Sequence, residues 1–375
     1  MKVTIVGGGN MGLAMVGYMV AHQKAQVTLF STKDPLREGA MLVEDIEGKK
    51  STYVSKFVVT DNPEAAFQDA NLIFVTYPAF LKKDFVARYE RFISRNCYLG
   101  FVPGYGGAEY ACTNLIQKGV TIFGLQRVPY VARFTEKDGV YKAGILSKKK
   151  TIYTAAIPDS KSETVRQLLE ELLDIPAKAL KEYLSITLAP SNPLLHITGL
   201  YHVFKDYHEG MYYERPLKLY EEWDNDTSEM LFRYDAELQE VCNALKPFDL
   251  QEVVPLPVYY ESDTPEKMTR KLKSIAPFKS VLVPLMKSSN GYIPDLNSRM
   301  FREDYPFGVC VIKDFAKMAG VATPTVDRLL EFYKKLSGHQ YFYKDGSYTS
   351  EIKNTGIPGN YGLFSIEQIV KFYHH

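Results

Sequence analysis

The chain has 375 residues, with 45 basic and 44 acidic side chains and 46% hydrophobic residues. That length allows two domains of ordinary size, and the near-neutral balance supplies no field to draw nucleic acid or an anionic membrane. No apolar run approaches the roughly 18 residues of a membrane span, and the amino terminus reads as a strand, not a leader.

The first predicted element is the apolar strand at Lys2–Val6, which runs into Gly7-Gly8-Gly9-Asn10-Met11-Gly12 and a helix ending near His22. A second strand, Gln26–Phe30, follows at the spacing of a βαβ unit. Glycine spacing of this kind has a physical purpose. Gly7 permits a tight turn, Gly9 lets a pyrophosphate approach the backbone, and Gly12 lets helix and strand pack closely. The free N–H groups of the helix start, at Asn10 and Met11, point towards the phosphates. A dinucleotide is therefore expected here.

Its identity turns on the end of the second strand, Phe30-Ser31-Thr32-Lys33-Asp34-Pro35-Leu36-Arg37. An acidic residue there accepts hydrogen bonds from a ribose 2′-OH and repels a 2′-phosphate. Ser31 and Thr32 occupy the expected position, with Lys33 and Arg37 nearby, so NADP(H) is favoured. Asp34 is close enough to keep NAD(H) open.

Further on, the pattern predicts a strand at Tyr53–Thr60, a short helix at Pro63–Ala70 capped by Asn62, and a buried strand at Leu72–Thr76. Thr76-Tyr77-Pro78 ends that strand, where cofactor contact is expected on topological grounds. A helix at Leu81–Ile93, a strand at Tyr98–Val102, a helix at Ala108–Lys118 and a strand at Thr121–Leu125 continue the alternation. Strands near Tyr141–Leu146 and Lys150–Ala156 are expected to extend the sheet before a helix at Ser162–Leu173. Tyr105 lies in a glycine loop after one strand. Gln126 and Arg133 lie near another strand end, where substrate contact is expected.

After Ala189-Pro190-Ser191-Asn192-Pro193 the periodicity turns helical: Pro193–Tyr207, Trp223–Leu245, Asp263–Lys273, Tyr305–Ala319 and Thr323–Leu336. Asn192-Pro193 and Thr323-Pro324 both read as cap followed by first-turn proline. The fold class is α/β: a Rossmann-type, doubly wound parallel sheet over residues 1–187, then an all-α domain over 188–375. In such a pair the substrate is expected in the cleft between domains.

Four cysteines without C-x-x-C pairing read as free thiols of a cytoplasmic protein, and seven histidines show no H-E-x-x-H pattern, so no metal is expected. The 27 tyrosines suit either a substrate cleft or the interface of a homodimer. His196, in the first turn of its predicted helix, and the charged run Arg299-Met300-Phe301-Arg302-Glu303-Asp304-Tyr305-Pro306 carry the unusual polar chemistry. His202 and His208 read as lying on a solvated or interdomain face.

Five motifs, in order, resemble the opine dehydrogenase family, of the octopine/nopaline type. They are Gly7–Gly12, Pro103-Gly104-Tyr105-Gly106-Gly107-Ala108-Glu109, Gln126-Arg127-Val128-Pro129-Tyr130-Val131-Ala132-Arg133, Asn192–His196 and Arg299–Gly308. The resemblance implies NAD(P)H-dependent joining of an amino acid to a 2-oxo acid such as pyruvate. It gives His196 the acid/base role, Asp304 the partnership with His196, and Arg299 the substrate carboxylate, with Arg302 a rival. Asp304 is also placed to cap the helix predicted from Tyr305. The chemistry agrees: imine formation and reduction both need a group that exchanges protons near neutrality, and a dicarboxylate product calls for a planar cation. The family often has a polar or thiol side chain where this chain has Ala132, which leaves the oxo acid open. A ketopantoate-type 2-oxo acid reductase and a non-catalytic NADP(H) sensor are the competing readings.

Overall fold

The computed structural model describes residues 1–32, 39–44, 51–137 and 140–374. It divides into two compact units: Met1–Thr187 together with Lys371–His375, and Leu188–Val370. The last residues of the chain thus group with the first unit and not with the helical one.

The first unit contains strands β1 (Lys2–Val6), β2 (Gln26–Phe30), β3 (Met41–Glu44), β4 (Ser51–Val54), β5 (Val58–Thr60), β6 (Leu72–Val75), β7 (Tyr98–Phe101), β8 (Thr121–Leu125), β9 (Tyr130–Lys137), β10 (Val140–Lys148), β11 (Ile152–Ile157) and β12 (Ala177–Ala179). Between them run helices α1 (Asn10–Ala21), α2 (Pro63–Phe67), α3 (Ala79–Tyr89), α4 (Thr113–Gln117), α5 (Ser162–Leu173) and α6 (Leu184–Thr187). The large sheet has eight strands in the order β12-β11-β8-β7-β6-β1-β2-β5, all parallel except for the β8–β11 pairing. Its central strands are buried and largely apolar, β6 wholly so, as a sheet covered on both faces requires. The chain leaves β1 to one side for β2 and β5 and returns to the other for β6, so β1 and β6 bracket the switch point.

A second sheet, β4-β3-β10-β9, differs from expectation. The segment 53–60 is two strands in two sheets, interrupted where Lys56 takes φ 71°. The strand around Tyr141–Leu146 joins this smaller sheet and not the large one. The reason is visible in β9, which exposes Arg133, Thr135, Glu136 and Lys137 and so cannot be covered on both faces. The small sheet packs over α1, which explains why that helix is buried continuously from Gly12 to Met19. Gly17 permits the approach: a Cβ there would stand 2.6 Å from Val43.

The second unit contains α7 (Ser191–Phe204), α8 (Asn225–Ala244), α9 (Leu256–Tyr259), α10 (Pro265–Ser274), the hairpin β13 (Leu285–Ser288)–β14 (Gly291–Pro294), a π-helical segment (Met300–Val309), α11 (Cys310–Ala319) and α12 (Pro324–Ser337). Helix α13 (Ile366–Tyr373) carries the chain back to the first unit. Asp224 caps α8 by accepting from Thr227 N at 2.8 Å. Helix α7 begins at Ser191, so Asn192 lies inside its first turn and His196 in the second. Helix α12 starts at Pro324 as read, but its cap comes from α8: the Glu237 carboxylate accepts from Thr325 N at 2.6 Å and Val326 N at 3.0 Å.

Candidate active site

The glycine turn has the shape its spacing implies. Gly7 sits at φ +110°, where an L side chain is strained, and donates to Phe30 O at 3.0 Å. A Cβ on Gly12 would lie 1.9 Å from Gly7 O, so only glycine lets α1 start this close to β1. Gly9 is different: nothing lies within 4 Å of its Cβ position. The space beside it stays open at the amino end of α1, whose first N–H groups have no partner within the helix. A dinucleotide pyrophosphate fits that cradle.

Other first-unit residues group around this edge. Thr76, at the end of β6, donates to Val6 O at 2.8 Å, and the Tyr77 ring lies against Gly7. Asn10 has a structural job: its Oδ1 accepts from Phe134 N at 2.8 Å, tying the turn to β9. Met11 and Pro78 are half-buried beside it. Ser31 is buried at the end of β2, with its N–H on Thr60 O at 3.1 Å, and Thr32 is exposed. Lys33 and Arg37 lie outside the described residues.

The loop after β7 reaches the same edge as β1 and β6, because the three strands are parallel neighbours. Tyr105 is buried there. The loop is held by Lys82, a fully buried lysine of α3 that donates to Pro103 O at 2.7 Å and Tyr105 O at 3.0 Å. Sequence reading missed Lys82, because in Leu81-Lys82-Lys83-Asp84 it looks like part of a solvated face. Gln126 is buried and donates to Ser185 O at 3.0 Å. Arg133 does not sit at a strand end: it lies within β9, opposite Gly144, and is exposed.

In the second unit, α7 and the π-helical segment bring His196 and Asp304 together. Gly308 makes the approach possible, since a Cβ there would stand 2.4 Å from Pro193 in the first turn of α7. The π segment is continuous into α11, with the Cys310 N–H on Tyr305 O, five residues back. Asp304 therefore lies inside a helix and does not cap one. Phe301 and Tyr305 turn their rings inward to stack, Tyr305 on Tyr333 at 4.0 Å.

His196 Nδ1 and Asp304 Oδ2 are 2.9 Å apart. The Asp304 side chain is only 4% exposed, while that of His196 reaches 18%. Burial pushes the Asp304 carboxyl above its ordinary range, and the facing imidazole pulls it back. Such a pair fixes the orientation of the ring and leaves Nε2 as the ring nitrogen that does not face Asp304. Arg299, one residue before the π segment, is largely exposed and ion-pairs with the buried carboxylate of Glu303. Arg302 is also exposed. His202 lies 3.5 Å from Asp224, six residues along α7 from His196. All four cysteines are buried and unpaired, and burial pushes the thiols of Cys97 and Cys242 up to about 12, so neither is a nucleophile.

Comparison with known proteins now bears on this arrangement. Residues 179–337 match the family model described as NAD/NADP octopine/nopaline dehydrogenase, alpha-helical domain. Tauropine dehydrogenase of Arabella iricolor is 23% identical, covering 98% of this chain and 99% of the relative. Octopine dehydrogenase of Pecten maximus is 24% identical, covering 98% of each. Residues 179–337 thus carry an octopine/nopaline dehydrogenase helical domain, and the chain is similar to opine dehydrogenases over nearly its whole length. A solved octopine dehydrogenase structure with NADH and L-arginine shares the fold, with a TM-score of 0.86, 23% identity, and coverage of 100% of this chain and 99% of that one. Both segments that form the His196–Asp304 pair fall inside the region matched by the opine dehydrogenase family model.

Proposed function

We propose that this protein condenses a 2-oxo acid such as pyruvate with the amino group of an amino acid, and reduces the resulting imine to an opine with a nicotinamide dinucleotide. The observation that carries the reading is the 2.9 Å contact between His196 and Asp304 inside an opine dehydrogenase helical domain. Gly7, Gly9 and Gly12 hold the pyrophosphate at the start of α1, assisted by Thr76, Tyr77 and Pro78. The bound dinucleotide supplies the hydride.

The chain's own residues handle binding and protons. Loss of water from the carbinolamine and formation of the protonated secondary amine both require a donor and acceptor near neutrality, which is His196 at Nε2. Asp304 holds Nδ1 and stabilises the imidazolium when it forms. Arg299 binds a substrate carboxylate through its planar guanidinium, and Glu303 braces that side chain. Tyr105, fixed by Lys82, contributes a wall on the dinucleotide edge. NADP(H) is the preferred cofactor, supported by hydroxyls at Ser31 and Thr32 where an acidic residue would select NAD(H). Four buried free thiols suit a cytoplasmic setting.

The test is NADPH and NADH oxidation with pyruvate against a panel of amino acids, alongside pyruvate alone and ketopantoate alone. Oxidation that depends on the amino acid is the expected result. Rapid oxidation with a 2-oxo acid alone would put the protein with simple keto acid reductases, and tight dinucleotide binding without any oxidation would make it a sensor.

A further inference from the structure

The chain passes from the first unit to the second at Thr187–Leu188 and returns at Val370–Lys371. Close to each passage stands a hydroxyl bonded to the same carboxylate oxygen. Thr187 Oγ1 donates to Glu109 Oε1, and Tyr373 OH donates to that oxygen at 3.0 Å. Tyr373 OH also meets Tyr110 OH at 2.7 Å, and its ring stacks on Tyr183. All these groups belong to the first unit.

Glu109 is fully buried, and its second oxygen has no hydrogen-bond partner. A carboxyl in that position costs stability, because desolvation is incompletely offset. Burial accordingly pushes it above the ordinary range, with the hydroxyls and Lys82 opposing. An apolar side chain of similar size would pack there at lower cost, but it could not hold two hydroxyls. Glu109 also closes the segment Pro103–Glu109, which starts at the dinucleotide edge of the sheet and is fastened at its other end by Lys82. The segment is thus anchored at both ends.

We propose that Glu109 is a positioning residue for the reaction: its carboxylate clasps both passages of the chain to the loop that follows β7. This rests on the functional reading above, in which one turnover uses the dinucleotide of the first unit and His196 of the second. Loosening the clasp then lets the Pro103–Glu109 loop, which carries Tyr105, shift at the dinucleotide edge of the first unit without touching the glycines that hold the dinucleotide. Misplacement of reacting groups by about 1 Å can cost on the order of 100-fold in rate.

The experiment uses the full chain with Tyr373→Phe, Thr187→Val and Thr187→Ser. Tyr373→Phe keeps ring and volume, so it tests the hydroxyl and not the packing. The expected result is a fall in kcat of about 10- to 100-fold for Tyr373→Phe and Thr187→Val. Dinucleotide affinity by calorimetry should stay within about twofold, and Thr187→Ser, which keeps the hydroxyl, should behave as the parent. Hydrogen–deuterium exchange read over residues 184–190 and 366–373 should rise in Tyr373→Phe whether or not substrates are known. Unchanged exchange there, or an unchanged kcat in both hydroxyl-deleted variants, overturns the clasp. A parent enzyme that binds dinucleotide but never turns over, with exchange still raised in Tyr373→Phe, would instead remove the functional reading and the clasp's role in turnover.

Discussion

Replacing Asp304 by asparagine removes one charge and almost no volume from a site where the side chain is 4% exposed. The loss can be scaled from the geometry. A carboxylate 2.9 Å from an imidazolium, at an effective dielectric of about 20, contributes on the order of 5 kcal/mol to the protonated ring. A positioned acid/base group is worth about 10²–10⁴ in rate, or roughly 3–5 kcal/mol, so the electrostatic and kinetic scales agree. Asp304→Asn is therefore expected to lower kcat by about 10²–10⁴ in the amino-acid-dependent oxidation of NAD(P)H. Because a buried carboxyl is exchanged for a neutral amide, the melting temperature should change by only a few degrees, and dinucleotide affinity should not move. A kcat within threefold of the parent, or a loss traceable to weaker dinucleotide binding, would refute the assignment of proton transfer to this pair.

Two further expectations follow from local geometry. Gly9→Ala places its methyl in open space and should leave thermal stability unchanged while weakening dinucleotide binding at least tenfold by calorimetry, whereas Gly12→Ala, with its Cβ 1.9 Å from Gly7 O, should lower the melting temperature sharply; equal behaviour of the two would show that the cradle is misassigned. Asp235, on α8, accepts from Leu256 N at 3.1 Å, and burial raises its pKa to about 7. Its folded value lies above the unfolded value of about 3.9, so its contribution to stability is present below pH 4 and is lost as pH rises to 7. Asp235→Asn should abolish that slope and leave the variant more stable at pH 8, by up to about 4 kcal/mol in denaturant titrations; parallel pH profiles would contradict it.

Much of the first unit was legible because its signals are local. A glycine triplet between an apolar strand and an apolar helix admits few alternatives, and the buried strands β1, β6 and β8 read as short hydrophobic runs. The small sheet was harder, since β3 and β10 are far apart in sequence and no local pattern announces their pairing. The longer helices α7, α8, α10, α11 and α12 were visible by period, whereas α9, α13 and the π segment were not. Pro306 reads locally as a first-turn proline, which set the expected start at Tyr305, five residues late. His196 and Asp304 stand 108 residues apart, and no periodicity joins them; only resemblance paired them before geometry did. Lys82 and Glu109 gave no sign in the sequence that they would be buried, because charged residues on short helical stretches are usually solvated.

The π-helical stretch has an implication for how this chain can vary. A π-turn holds more residues than an α-turn, so the angular phase of Asp304 relative to α11 depends on the number of residues between Met300 and Val309. Exchanging side chains there leaves that phase intact. Rewinding the stretch to α-geometry at unchanged length would overwind it and swing the carboxylate away from the imidazole, whereas loss of one residue lets α-geometry recover much of the same phase. In this stretch winding and chain length are coupled, and neither depends on the exposed side chains.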